Sequence, residues 1–248
     1  MAQRSQLIYG RHPVLEALDA GHSIDKVYLQ RGSRGEFEKE LRKRCQQRHI
    51  PLQYVPKEKL DRFTKSNHQG VVAMLALVPY YRLSDVVQNL FEQGRQPLLL
   101  VLDGVTDVRN FGAIARSAEV FGAQALVVPR SGSALINADA VKASAGALLR
   151  LHICREHSLV QAIDYLQQSG IQVFASDLQA ESLIFELDLR GPVAFVVGAE
   201  DTGVQPALLE AADRRFRIPQ QGQTDSLNVS VAAGVMLYEA SRQRLLAP

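Results

Sequence analysis

Short apolar runs alternate with amphipathic stretches along the whole chain. In the first third, residues 7–9, 26–30 (KVYLQ), 52–55 and 71–77 read as strands. Between them, Pro13 suits the first turn of a helix that runs to about residue 20 and closes at Gly21. Residues 36–48 form a charged helix in which Phe37, Leu41 and Cys45 recur every four positions, giving one narrow buried stripe. A shorter helix is expected over 57–63. From residue 98 the rhythm strengthens. LLLVL (98–102) and VAFVV (193–197) are continuous apolar runs, the pattern of parallel strands buried on both faces. Further strands are expected at 125–128, 151–154 and 173–175, and helices at 111–121, 158–169, 206–212 and 229–245. Strands alternating with helices predict an α/β fold with a mostly parallel sheet covered on both faces. Residues 78–97 carry Pro79, Gly94 and Pro97 around one short helix and read as a connector. The expected organisation is a small α/β domain over 1–77, a linker over 78–97 and a larger α/β domain over 98–248.

Composition narrows the class. With 248 residues, 46% hydrophobic and 22% charged, the chain matches a globular protein of one or two domains and excludes wholesale disorder. No apolar run has the length of a membrane span, and the first residues lack a signal-type apolar core, so a cytoplasmic protein without membrane contact is expected. Cys45 and Cys154 have no metal-ligand spacing, so neither a disulfide scaffold nor a metal site is expected. The net charge of +2 hides an asymmetry. Residues 1–77 hold 14 Lys and Arg against 8 Asp and Glu, while 78–248 hold 14 against 18. A basic segment of this kind fits a polyanion partner or an ordinary solvated surface.

Three loops carry candidate chemistry. Residues 103–118 (DGVTDVRNFGAIARSA) follow the strand at 98–102; Asn110 can cap the next helix and Gly112 permits close approach to its start. Arg109 and Arg116 stand near that helix N-terminus, which favours anions. Residues 198–203 (GAEDTG) follow the strand at 193–197, and their two acids suit a neutral or cationic ligand better than a phosphate. Residues 217–230 (RIPQQGQTDSLNVS) lead into the last helix, with Ser226 or Asn228 as its cap. Taken singly, each loop also fits a plain capped helix or an exposed turn. There is no GxGxxG after an early strand, no GxxxxGK[ST], no GxSxG and no HExxH, which disfavours nicotinamide, nucleotide P-loop, serine-hydrolase and zinc-protease chemistry. His152 and His157 have no ligand partners in sequence and fit surface or packing roles.

Together the loops resemble the signature motifs of the SpoU (TrmH) family of RNA ribose 2′-O-methyltransferases. Asn-x-Gly-x-Ile-x-Arg-x-Ala is matched by Asn110, Gly112, Ile114, Arg116 and Ala118. Gly-x-Glu-x-x-Gly is matched by Gly198, Glu200 and Gly203. Ile-Pro…Gly…Ser-Leu-Asn-Val-Ser-Val-Ala is matched by Ile218, Pro219, Gly222 and residues 226–232. IYGRHPVLEAL and HQGVVA in the first segment are similar to the RNA-binding domain of the RlmB-like subgroup, which methylates a guanosine ribose in 23S rRNA. Two positions depart from the pattern: Asp201 stands where Gly is common, and Gln220 where Met is common.

The resemblance implies a SPOUT-type domain with a deep trefoil knot built by the second and third loops. It implies S-adenosylmethionine held there by backbone groups at Gly198, Ile218 and Leu227. It further implies a homodimer with the active site at the subunit interface, to which the last helix, with Val231, Val235, Leu237, Tyr238 and Leu245, contributes. Arg116 would bind the target phosphate and stabilise the developing 2′-alkoxide; an arginine is almost never deprotonated, which argues against a base role. Asn110 and Asn228 would orient the ribose and the loops, with Glu200 and Ser226 fixing Arg116 and the third loop. Arg11, His12, Arg31, Arg34 and residues 42–44 of the basic segment, with Arg109, are candidates for RNA phosphate contact. The rival expectations are a tRNA-modifying enzyme of the same family, an α/β transferase acting on a metabolite, and a non-catalytic ribosome-associated RNA-binding module.

Overall fold

In the computed structural model, which describes residues 7–48, 50–134, 136–223 and 226–246, the chain divides into two units between Pro79 and Tyr80. The first unit contains β1 (Leu7–Tyr9), α1 (Arg11–Asp19), β2 (Ile24–Gln30), α2 (Glu36–Gln47), β3 (Leu52–Val55), α3 (Lys57–Phe63) and β4 (Val71–Leu75). Its sheet has the order β1-β4-β2-β3, antiparallel except for β2 and β3. Side chains alternate across β2 because strand residues point to opposite faces. Val27 and Leu29 join Val14, Leu18, Leu41 and Cys45 under α1 and α2, whereas Tyr28 joins Leu60 of α3 on the other face. Leu41 and Cys45 are fully buried and Phe37 packs at the margin, so the expected stripe of α2 faces the core. α1 begins two residues before Pro13, at Arg11, after Gly10 turns at φ +93°. Pro13 still lies in the first turn, where its missing N–H costs nothing.

The second unit opens with β5 (Tyr80–Tyr81) and α4 (Leu83–Glu92). There follow β6 (Leu98–Leu102), α5 (Val108–Val120), β7 (Ala125–Pro129), α6 (Ala138–Ala143), β8 (His152–Glu156) and α7 (Leu159–Gln168). The chain closes with β9 (Gln172–Ser176), β10 (Val193–Val197), α8 (Pro206–Ala211), β11 (Arg214–Phe216) and α9 (Val229–Leu245). The seven strands lie in the order β11-β9-β10-β6-β7-β8-β5, and every pairing is parallel. β6 and β10 are buried along their whole length at the centre, as their unbroken apolar runs require. One face of the sheet is covered by α4, α7 and α8, and α5 packs against both α6 and α9.

The stretch expected as a connector differs from that expectation. Tyr80 and Tyr81 pair with Ile153 and Cys154 as the edge of the large sheet. Leu83, Val86, Val87 and Leu90 bury one face of α4 against the same core. Spacing of three, four and seven is the stripe of a core-facing helix; the prolines and glycine bound this element without detaching it. β11 and α6 are further elements that the apolar pattern did not reveal.

β6 and β10 are neighbours, yet the chain runs from β6 outward to β7 and β8 and returns to the other side of β10 through β9. The carboxyl ends of β6 and β10 therefore flank a switch in strand order, where open α/β sheets form ligand crevices. Residues 103–107 and 198–205 leave the sheet at that point.

Candidate active site

Asp103 directly follows β6 and is buried. Its carboxylate accepts from the Gln205 backbone N–H at 2.8 Å and from Gln205 Nε2 at 2.7 Å, and its own N–H donates to the Val197 carbonyl at 2.8 Å. A buried carboxylate needs such partners, and here they lock the first loop to the second. α5 is capped by Asp107, whose Oδ1 accepts from the Asn110 N–H at 2.7 Å. Asn110 is therefore not the cap. It sits in the first turn of the helix with its side chain left for other partners. The approach that Gly112 allows is that of α6, because a Cβ there would lie 2.5 Å from the Ala143 Cβ.

The second loop folds back on itself. Gly203, at φ +68°, donates its N–H to the Ala199 carbonyl at 2.9 Å. A Cβ on Gly198 would lie 1.9 Å from the backbone of Gly203, so only glycine fits. Asp201 stands at no positive φ, so a side chain is accommodated at this position, where the expected pattern has Gly. The third loop ends at Asn228, which caps α9; its Oδ1 accepts from the Ser230 N–H at 2.9 Å and from Ser230 Oγ at 2.6 Å. Thr224 and Asp225 of this loop lie outside the described residues.

Three of the expected residues meet. Asn110 Nδ2 donates to Glu200 Oε2 at 3.0 Å. Asn228 Nδ2 donates to Glu200 Oε1 at 3.2 Å and to Asn110 Oδ1 at 3.1 Å. One residue from each loop thus closes a ring of hydrogen bonds around a single carboxylate. Arg116 and Arg109 are exposed on α5, seven residues apart and so on one face, and form no hydrogen bond or ion pair among the described residues. Glu200 therefore holds the two asparagines and does not fix Arg116, contrary to the expectation. Ser226 is exposed beside the cleft described next. In the first unit, Arg11 and His12 line a groove, whereas Arg31 and Arg34 are exposed between β2 and α2 and are not part of its wall. Asp103 and Asp107 were missed, although an acid at a strand's end and an acid three residues before Asn110 were visible signals.

Two clefts share the wall formed by Ala199, Glu200 and Asp201. The larger, of about 490 Å³, is lined by all three residues expected at the cofactor, Gly198, Ile218 and Leu227, and by apolar Leu209 and Met236. Its charged lining is Asp177, Glu200 and Asp201 against Arg217. This size lies within the range of small-molecule sites, and the acidic excess suits a positively charged ligand. The smaller, of about 330 Å³, is lined by Thr106, Asp107, Asn110, Glu200 and Asp201. The cysteines take no part: burial pushes both thiols up to about 12, far from the reactive thiolate range. Among the described residues no cluster of three His, Cys, Asp or Glu could hold a metal ion, and no helix is long and apolar enough to cross a membrane.

Fold and site together define an α/β methyltransferase that carries its own RNA-binding unit. Residues 97–238 match the SpoU rRNA Methylase family, and residues 7–81 match the substrate-binding domain of RNA 2′-O ribose methyltransferases. The chain belongs to the SpoU family of RNA ribose 2′-O-methyltransferases. It is 37% identical to the 23S rRNA (guanosine-2′-O-)-methyltransferase RlmB of Xylella fastidiosa, over 99% of this chain and 100% of that one. It is 31% identical to the putative TrmH family tRNA/rRNA methyltransferase YacO of Bacillus subtilis, over 98% of each. Among solved structures, the AdoMet-bound rRNA methyltransferase of Sinorhizobium meliloti is 27% identical with a TM-score of 0.62, over 99% of this chain and 89% of that one.

Proposed function

We propose that this chain methylates the ribose 2′-hydroxyl of a guanosine in 23S rRNA, acting as a homodimer with its active site at the subunit interface. The observation that carries the site assignment is the wall shared by the two clefts: one side suits the cofactor, the other the target ribose. S-adenosylmethionine, the methyl donor of this family, supplies an electrophilic methyl on a sulfonium that departs as a thioether. Backbone groups at Gly198, Ile218 and Leu227 would hold it in the 490 Å³ cleft, with Asp177, Glu200 and Asp201 matching its charge. The chain's remaining task is to position the ribose and ease loss of its proton. Asn110, which lines the smaller cleft, orients the ribose there, with Asn228 and Glu200 bracing it. Arg116, with no acidic partner among the described residues, binds the target phosphate and stabilises charge developing on the 2′-oxygen. Ser226 lies exposed at the mouth of the larger cleft, within reach of a bound cofactor. The trefoil knot belongs to the same proposal, supported by the second loop closing on itself and the third returning beside it.

Full-length identity to a 23S rRNA guanosine methyltransferase supports the rRNA target, and the paired tRNA/rRNA name of the Bacillus relative keeps tRNA as the comparison arm. The test is nucleoside analysis after incubating purified protein and labelled methyl donor with unmodified 23S rRNA or tRNA. The expected product is 2′-O-methylguanosine from the rRNA; methylation of tRNA alone would overturn the substrate assignment.

A further inference from the structure

The basic surplus of the first unit is not equally available everywhere. On α2, Arg44 pairs with Asp19 at 2.6 Å and Glu40 at 2.7 Å, and Arg48 donates to the Asp19 carbonyl at 3.2 Å. Arg11, Lys57 and Lys65 are exposed and form no ion pair among the described residues. All three line one groove of about 850 Å³, between the starts of α1 and α3 and the loop before β4.

The groove is held in shape from beneath. His68 is buried; its Nδ1 accepts from the Gly70 N–H at 3.0 Å, so Nε2 carries the proton and donates to Asp61 Oδ1 at 2.9 Å. That bond occupies Asp61, the groove's one carboxylate, and holds it below the ordinary carboxylate range. Gln69 stands at φ +50°, a conformation costly for a non-glycine residue and concentrated at ligand sites. Its Oε1 accepts from the Arg11 N–H at 3.0 Å, which leaves its amide N–H groups for a ligand. Asn67 likewise uses its Oδ1, on the Gln69 N–H at 3.2 Å, and keeps its amide N–H groups. The Arg11 guanidinium lies 5.0 Å from the centroid of the Phe37 ring, which orders it in advance.

Resting on the assignment of this chain as an RNA methyltransferase, we propose that this groove holds an unpaired stretch of the substrate RNA. Arg11, Lys57 and Lys65 bind its phosphates, and the amides of Asn67 and Gln69 meet a base edge. Cations alone would give affinity without selection, whereas amides at the groove floor can address a base. A concave site suits splayed single-stranded nucleotides; duplex RNA presents a wide, shallow minor groove instead.

The test compares two triple variants of the full chain with equal loss of charge. One is Arg11→Ala, Lys57→Ala, Lys65→Ala in the groove. The other is Lys39→Ala, Arg42→Ala, Lys43→Ala on α2. Binding of a labelled single-stranded oligoribonucleotide is followed against salt, with calorimetry of S-adenosylmethionine reporting the integrity of the other unit. The groove variant is expected to bind RNA at least tenfold more weakly than the α2 variant. Its slope of log K against log salt should fall by about 2, at ~0.7 per lost phosphate contact, with methyl-donor binding unchanged. Equal losses in both variants, a greater loss in the α2 variant, or none in either would overturn the groove. If the wild type methylates RNA while the groove variant binds it normally, only the groove proposal fails. If the wild type binds neither RNA nor methyl donor, the enzyme assignment fails with it.

Discussion

At the scale of single residues, the site depends on backbone that no side chain can replace. Gly198 is the sharpest case, because its missing Cβ is what lets residues 198–203 close beside the larger cleft. Gly198→Ala is expected to lower affinity for S-adenosylmethionine by at least tenfold, measured by calorimetry, while the far-UV spectrum stays that of the wild type. Unchanged affinity would show that the loop has room. The motif residues of this site were legible as types and spacings, but their partners were not. Asn110 and Glu200 are ninety positions apart, and only the fold makes them neighbours. The helix cap was misplaced for a physical reason: Asp107 and Asn110 are both good capping residues. Asp107 takes that place and leaves the Asn110 side chain for the ring.

At the scale of elements, the unbroken apolar runs of β6 and β10 were read directly, since strands buried on both faces have no polar side to disguise them. The short helix α4 was expected, but its place in the large domain was obscured because Pro79, Gly94 and Pro97 draw attention to the boundaries, while its four buried residues carry the packing. α9 has two kinds of apolar position. Leu237 is buried, whereas Val231 at 51%, Tyr238 at 55% and Leu245 at 81% are exposed and follow one another every seven residues. Seven residues are nearly two turns, so these three share one face. In the proposed homodimer, this face would meet the second copy. Tyr238→Glu is expected to shift the protein from dimer to monomer in sedimentation velocity at micromolar concentration, with methylation falling in step. A variant that stays dimeric would place the interface elsewhere.

At the scale of the whole molecule, the net charge of +2 conceals an uneven distribution. On the proposed reading, the basic unit would offer Arg11, Lys57 and Lys65 to RNA, and Asp177, Glu200 and Asp201 of the other unit would face a positively charged methyl donor. Acid should weaken the fold through particular carboxylates. The Arg190 side chain and backbone N–H hold Asp188 at about 2 instead of 3.8, and Arg242 lowers Glu239 in the same way. A group lowered in the folded state adds stability above its ordinary value, and that stability is lost as pH falls through the folded one. Burial raises Glu156, with the opposite sign: its contribution is present at low pH and is lost as pH rises through its folded value. The melting temperature should therefore fall between pH 4 and pH 2, less steeply in Asp188→Asn than in the wild type. Identical slopes would show that the exposed Asp188–Arg190 pair contributes nothing measurable.

The central claim is that residues from the three loops form one site for attack by a ribose 2′-oxygen, with Arg116 supplying the charge that the attack requires. Single-turnover methylation at saturating RNA and methyl donor tests it most directly. With binding saturated, Arg116→Ala should slow the methyl-transfer step by about 100-fold or more, in line with loss of a transition-state charge contact. Transfer at the wild-type rate by this variant would contradict the account.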